Sequence, residues 1–222
     1  MAITVPQVAV DGTTVVGSTC AGTFGSNTTT GNTVVAISMA GSNASVSSVA
    51  ISPGSGTFAR LIAYSFVATQ PLEVWIAPNI TGGTTPTVTA TYSGSPLAGG
   101  IVLYELAGMP TTTQADGTAA GTTGSSTTPT TLGITTTVTN TIVFGAFVTA
   151  GTITTPQAGW TGKLEAAQGG AAEYQIQTSI RTALTANCTQ GNTAWGAVIF
   201  ALKGGVSGSL PLVAANPKLY WV

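Results

Sequence analysis

Short segments of alternating polarity, separated by turns rich in Gly, Pro and Asn, constrain this chain more than any other feature. They recur about every 8–15 residues, the spacing typical of a β-sandwich or barrel. No long stretch carries an apolar stripe with the period of about 3.6 residues that marks a helix. The sequence therefore predicts an all-β fold, an antiparallel, jelly-roll-like β-sandwich, rather than a parallel α/β sheet.

The predicted strands fall into two groups. One group alternates apolar and polar residues and predicts half-buried strands: Thr33–Met39, Arg60–Val67, Leu72–Ile76, Pro86–Tyr92 and Ala172–Thr182. The other group is apolar on both faces: Ile101–Leu106, Ile142–Val148 and Trp195–Leu202. The second apolar face needs a cover, and either a crossing loop or a neighbouring subunit could supply it.

The chain divides into a sandwich domain over residues 1–203 and an extended C-terminal arm over 204–222. Gly204–Ser209 has the composition of a flexible hinge, and Pro211 and Pro217 disfavour a helix after it. The arm is nevertheless apolar, with Leu210, Leu212, Leu219, Tyr220 and Trp221. Such a tip is expected to dock on its own domain or on a neighbour.

Two further expectations concern organisation within the sandwich. Met109–Thr131 is rich in Thr, Gly and Ser, which predicts one long connection without a strand. No short internal repeat is evident.

Charge is almost absent. Charged residues form 5% of the 222 residues and the net charge is −1, against about 25% charged residues in an ordinary domain. We therefore expect no nucleic acid partner and a surface of hydroxyl and amide groups. Low net charge also favours self-association, so a homo-oligomer is expected. No apolar run reaches the roughly 18–20 residues of a membrane-spanning helix, and no membrane partner is expected.

The first residues, Met1–Thr4, show neither the basic nor the apolar region of a secretory signal. Unless a signal has been removed, we expect the protein to reach its destination without secretion. A virus particle released by lysis meets that condition, and an extracellular surface is the alternative location.

Catalytic chemistry finds little support. The chain has no histidine, which removes the usual general base and most transition-metal sites. Glu73 and Glu105 on adjacent strands are the nearest approach to a glycosidase pair, but Glu105 is expected to face solvent or to pair with Arg60 or Lys163. Asp116 stands alone in its segment, too few ligands for calcium. We expect no enzyme activity, no metal and no cofactor.

Two cysteines and three tryptophans carry the remaining site hypotheses. Cys20 and Cys188 are either two buried thiols or one disulfide between the first and last parts of the sandwich. Trp75 and Trp195 lie in predicted strands and are expected in the core or an interface. Trp160 follows a turn-rich segment and is the candidate platform for stacking on a sugar ring.

Six stretches carry a resemblance to a known module. They are Asn32–Ser38, Val49–Phe58, Val74–Gly83, Val88–Ser93, Tyr104–Met109 and Ala194–Lys203. Together they cover roughly residues 30–203 in order. The chain resembles a β-sandwich module of tailed-phage virion structural proteins and of bacterial surface proteins.

The resemblance implies a fold and a setting rather than an activity. This chain has fewer charges than the module and adds the arm after Lys203, which favours an assembly subunit over a module of a secreted enzyme. We therefore expect a virion structural protein of a bacteriophage, most simply a capsid decoration (cement) protein, or else a tail or fibre component. Its partners would be capsid or other virion proteins. The alternative is a carbohydrate-binding or adhesin module of a tail fibre or bacterial surface, with a glycan as partner.

Overall fold

The structure is a computed structural model that describes residues 1–11, 17–41, 44–66, 70–96, 99–112, 115–149, 151–165, 169–191 and 193–205. These residues form the following strands: β1 (Thr4–Asp11), β2 (Thr19–Thr23), β3 (Thr33–Ala40), β4 (Val46–Ser52), β5 (Ala59–Ser65), β6 (Pro71–Ala77), β7 (Thr87–Tyr92), β8 (Gly99–Ala107), β9 (Ala120–Ser126), β10 (Thr141–Thr149), β11 (Ile153–Pro156), β12 (Thr161–Glu165), β13 (Gly170–Gln177), β14 (Cys188–Gln190) and β15 (Thr193–Lys203). The predicted all-β antiparallel fold is confirmed, while its jelly-roll connectivity stays a prediction. Within the described residues, no helix has the length and apolarity to cross a membrane.

The strands stack in four layers. One inner sheet has the order β1-β8-β3-β6-β5 and the other the order β12-β13-β10-β15-β9. The central core lies between them and draws on both, with Val35 and Tyr104 from the first sheet and Phe144 and Phe200 from the second. Outer sheets β2-β7-β4 and β11-β14 cover the two remaining faces.

The outer layers explain the strands that are apolar on both faces. In β10, Phe144 points into the central core, whereas Val143 and Phe147 point outward into clusters beneath the second outer layer. The cover therefore comes from the same chain and no neighbouring subunit is needed for it. β3 is buried along its whole length, so the prediction of a half-buried strand at Thr33–Met39 is wrong. Its second face, which carries Val34 and Ala36, lies under the first outer sheet.

The two halves of the chain repeat one arrangement of strands. When the strands of each half are numbered along the chain, the two inner sheets have the same order: β1-β8-β3-β6-β5 in the first half corresponds to β9-β15-β10-β13-β12 in the second. The outer strands β7 and β4 correspond in the same way to β14 and β11. The place of β2 is taken by a segment whose Thr130 and Ile134 bridge to Asn187 and Leu184. This repeat differs from the short internal repeat that was sought in the sequence, because each unit is a whole half of the sandwich and its side chains differ.

The expectation of a strandless connection at Met109–Thr131 is also wrong, because β9 lies within it and pairs with β15 along the sheet edge. Its glycines have a steric reason. The Tyr64 ring lies against Gly121 and the Trp195 ring against Gly124, where a Cβ atom would collide with the ring. The segment looks featureless in sequence because aromatic rings from elsewhere cover its backbone.

The predicted apolar arm residues Leu210, Leu212, Leu219, Tyr220 and Trp221 lie outside the described residues. Just before them, Gly204 N–H donates to Asn140 O and Gly205 N–H to Gly108 O, both at 2.7 Å. The Met1 amino group donates to Gly205 O at 3.3 Å. The last described residue is therefore anchored at the corner where the chain begins.

Candidate functional site

Glu73 and Glu105 do not form a catalytic pair, because each is buried and engaged in its own set of hydrogen bonds. The Glu73 carboxylate accepts from Val46 N–H at 2.8 Å and Trp75 Nε1–H at 3.2 Å. It also forms an ion pair with Arg60 at 3.3 Å. Glu73 thus ties the start of β4 to the inner sheet.

Glu105 does not face solvent and does not pair with Arg60, so these two expectations are wrong. The side chain of Lys163, the other expected partner, lies outside the described residues. Its carboxylate accepts from Gln7 Nε2 at 2.6 Å, Thr29 N–H at 2.8 Å and Asn32 Nδ2 at 2.7 Å. Arg60 is engaged with Glu73 instead. The carboxylate therefore anchors the loop between β2 and β3 to the inner sheet.

Replacing Glu105 by Gln should lower the free energy of unfolding by about 2–3 kcal/mol, since an amide nitrogen would face groups that need an acceptor. Chemical denaturation checks this. Thr23→Val, which removes one exposed side-chain hydrogen bond to Thr87, serves as the control and should change stability by less than about 0.5 kcal/mol. Equal, small effects of the two substitutions would contradict the anchoring role.

Asp116 is a loop anchor of the same kind. It is buried and accepts from Thr137 N–H at 2.9 Å, Thr137 Oγ1 at 2.6 Å and Thr141 Oγ1 at 2.8 Å. Burial favours a raised pKa for Asp116, but these hydrogen bonds outweigh it and the pKa is lowered. No group of three or more His, Cys, Asp or Glu able to hold a metal ion occurs in the described part of the chain.

Glu173 differs from the other buried acids. Its Oε2 accepts from Gln157 N–H at 2.8 Å, while its Oε1 is buried without a hydrogen-bond partner among the described residues. Burial raises the pKa of Glu173 to about 7, and hydrogen bonds from the backbone of Gln157 and Asn187 offset this only in part. The sequence did not single out this residue, because an acid in an alternating strand is expected on the wet face.

The two cysteines lie in different layers of the molecule. Cys20 belongs to the cluster under the first outer sheet and Cys188 to the cluster under the second. Both inner sheets and the central core lie between these clusters, and packed sheets are about 10 Å apart. The disulfide alternative is therefore wrong for this structure, in which Cys20 and Cys188 form no disulfide with each other.

The tryptophans pack into the fold. Trp195 lies in the core, with its Nε1–H donating to Ser126 Oγ at 3.0 Å. Trp75 is half-buried beneath the Arg60 guanidinium, 5.8 Å from the ring centroid. Trp160 is also half-buried and packs against two clusters under the second outer layer. The structure therefore gives Trp160 a packing role beside its predicted role as a sugar platform.

Replacing Trp160 by Ala should destabilise the protein by about 2–4 kcal/mol, because the ring fills space between two apolar clusters. A thermal or denaturant unfolding curve measures this. Trp160→Phe keeps an aromatic ring in the site and should recover at least half of the loss. An alanine variant as stable as the wild type would instead indicate an exposed platform.

Three of the surface clefts in the described part have the following linings. One lies between the edge strands β1 and β12, over Tyr104 and Tyr174. A second is near Asn79. The third, of about 420 Å³, is lined by Gln157 and the 180–185 segment. No carboxylate or cysteine lines any of them.

Few large apolar side chains are exposed among the described residues: Met1 at 74%, Ile180 at 56%, Leu132 at 49% and Ile176 at 37%. Met1 lies beside Gly205, and Ile176 pairs with Ile142. Leu132 and Ile180 belong to the two facing segments near the third cleft. Sequence periodicity could not mark these residues, because exposure depends on which segments the outer layer covers.

Comparison with known proteins gives no match: no family model, no curated protein and no solved structure matches this chain.

Proposed function

We propose that the protein is a non-catalytic structural component of a virus particle, most simply a capsid decoration protein that binds neighbouring subunits. The observation that supports this is the charge of its surface. Of the six acidic residues in the chain, Glu73, Glu105, Asp116 and Glu173 are buried. What remains outside is mainly hydroxyl and amide groups, so copies of the protein repel each other very little.

The apolar C-terminal arm provides the second support for assembly. It follows Gly205, which is held at one corner of the sandwich beside Met1. One of the exposed apolar side chains, Met1, lies at this corner. Burial of such surface against a neighbour contributes roughly 25 cal/mol per Å² before the cost of association. The two repeated halves, each with jelly-roll-like connectivity in this proposal, form a compact and protected body for an exposed location.

Self-association and particle binding test the proposal. Analytical ultracentrifugation from micromolar to millimolar concentrations should show a concentration-dependent oligomer, and the protein should co-sediment with particles of the virus that encodes it. Bovine serum albumin at equal concentration controls for trapping in the pellet. A protein that stays monomeric and does not bind particles would contradict the proposed function.

A carbohydrate-binding or adhesin role is the second candidate. It is favoured by the cleft at Gln157 and the 180–185 segment, where amide, hydroxyl and guanidinium groups adjoin apolar side chains. The turn that carries Trp160 begins at Gln157. A glycan array with the wild type and with Arg181→Ala tests this candidate. If this candidate is right, the wild type binds at least one glycan on the array and Arg181→Ala loses that binding. A wild type that binds no glycan counts against a carbohydrate-binding role.

A further inference from the structure

The duplicated fold carries two buried glutamates on corresponding strands of its two halves. Glu73 lies on β6 and Glu173 on β13, which are corresponding strands of the two inner sheets. Each carboxylate accepts a backbone N–H next to the corresponding outer strand, from Val46 at the start of β4 and from Gln157 after the end of β11. Each therefore fastens an outer layer to an inner sheet.

The two sites differ in what balances the negative charge. Glu73 has the Arg60 guanidinium and the Trp75 indole N–H. Glu173 has no ion pair among the described residues, and its Oε1 has no hydrogen-bond partner there. An ionised carboxylate buried in this way is unfavourable, whereas a protonated one needs no counter-charge.

Among the described residues, no cation pairs with Glu173. Two described titratable groups that interact with it are the Cys188 thiol on β14 and the Tyr104 phenol on β8, both of which have raised pKa values. On β12, Gly162 lies against the Glu173 side chain. Lys163 and Glu165 belong to the same strand, and their side chains are outside what the structure describes.

We propose that Glu173 is a proton-operated latch: its protonated form holds the outer β11–β14 layer on the second inner sheet, and its ionisation loosens that layer. Opening of the layer lets water reach the carboxylate, which removes the cost of the buried charge. It also uncovers the cluster below, which includes Phe147, Cys188 and Trp195. The inference does not depend on the proposed function.

The direction of the pH effect follows from linkage. Burial raises the pKa of Glu173 from 4.5 to about 7 in the closed layer, and an opened, hydrated carboxyl returns towards the lower value. The stabilising contribution is therefore complete below about pH 4.5 and is lost as the pH rises through about 7. The layer should be firmly closed in mild acid and looser in mild alkali.

The cysteines provide a built-in readout, because each is buried on the inner side of an outer layer: Cys188 on β14 in the layer that Glu173 holds, and Cys20 on β2 in the layer that Glu73 holds. Labelling with N-ethylmaleimide is followed by peptide mass spectrometry between pH 5.5 and 8.5. Each rate is divided by the rate in the denatured protein at the same pH, which removes the intrinsic thiolate dependence. We expect the corrected Cys188 rate to rise roughly tenfold to thirtyfold with a midpoint near pH 7, and the Cys20 rate to stay flat.

Two variants make the assignment specific. Glu173→Gln keeps the shape without the charge and should abolish the pH dependence at Cys188, whereas Glu73→Gln should leave it unchanged. If Glu173→Gln does not fold, Arg60→Gln provides the reverse test, because removal of the cation beside Glu73 should create a rise with pH at Cys20. A flat wild-type profile at Cys188, or a rise that persists in Glu173→Gln, would overturn the proposal.

Discussion

Replacing Phe144 by Ala is expected to lower the free energy of unfolding by about 3–5 kcal/mol, which is a large fraction of the total for a domain. Phe144 is fully buried at the centre of the core between the two inner sheets. Its ring stacks on Phe200 with a centroid distance of 4.8 Å and meets the edge of Tyr104 at 5.1 Å. The substitution removes these contacts and leaves a cavity that both halves of the molecule line.

Guanidinium denaturation followed by tryptophan fluorescence measures this effect, and Ile180→Ala is the matched control. Ile180 is 56% exposed, so its truncation should change stability by less than about 0.5 kcal/mol. Because the core is shared, tryptophans of both halves should report one transition at the same lowered midpoint. A variant in which Trp75 and Trp195 report separate transitions would show that the halves are independent units.

Much of the fold is predictable from the sequence because strands carry their own periodicity. The alternation at Pro86–Tyr92, for example, corresponds to the observed β7, with Val88, Ala90 and Tyr92 buried. Segments with two apolar faces, such as Ile142–Val148, correctly indicated a second cover. The sequence could not show that the outer sheets provide this cover. Their strands are short, and they reach the inner sheets only through packing between distant parts of the chain.

The errors have physical causes of the same kind. β9 is missed because Gly121 and Gly124 leave room for the Tyr64 and Trp195 rings, and its other residues are small Ala, Thr and Ser side chains that form no apolar pattern. The duplication is missed because the halves share strand order but not residues. Thus β3 places Ile37 in the central core where β10 uses Phe144.

The site was harder to predict than the fold. The absence of histidine and the small number of acidic residues argue against enzyme chemistry from composition alone. Composition does not show how deeply each acidic side chain is buried, because that depends on the outer layers. Glu73, Glu105 and Glu173 all lie in strands whose second face would be wet in a two-layer sandwich, and the outer layers bury them here. Trp160 is likewise half-buried only because the 180–185 segment and the outer layer surround its turn.

Deleting Leu210–Val222 is expected to abolish self-association and particle binding while leaving the Tm of the isolated domain almost unchanged. The truncated chain keeps Gly204 and Gly205, together with their hydrogen bonds to Asn140 and Gly108, so the anchor at the end of the described residues is retained. Leu219, Tyr220, Trp221 and Val222 would each give up roughly 1.5–3 kcal/mol of burial at the interface. Ordering the preceding hinge costs about 1–2 kcal/mol per residue, so the arm should order only where a groove on a neighbour receives it.

Calorimetry on the monomer, ultracentrifugation and particle co-sedimentation separate the two effects of this deletion. A full-length variant with Leu219, Tyr220, Trp221 and Val222 replaced by Ser keeps the arm's length and removes its apolar tip. It should behave like the deletion if burial drives assembly, and like the wild type if chain length alone matters. A deletion that lowers the Tm of a monomer by many degrees would show that the arm packs on its own sandwich. The assembly argument would then rest on surface charge alone.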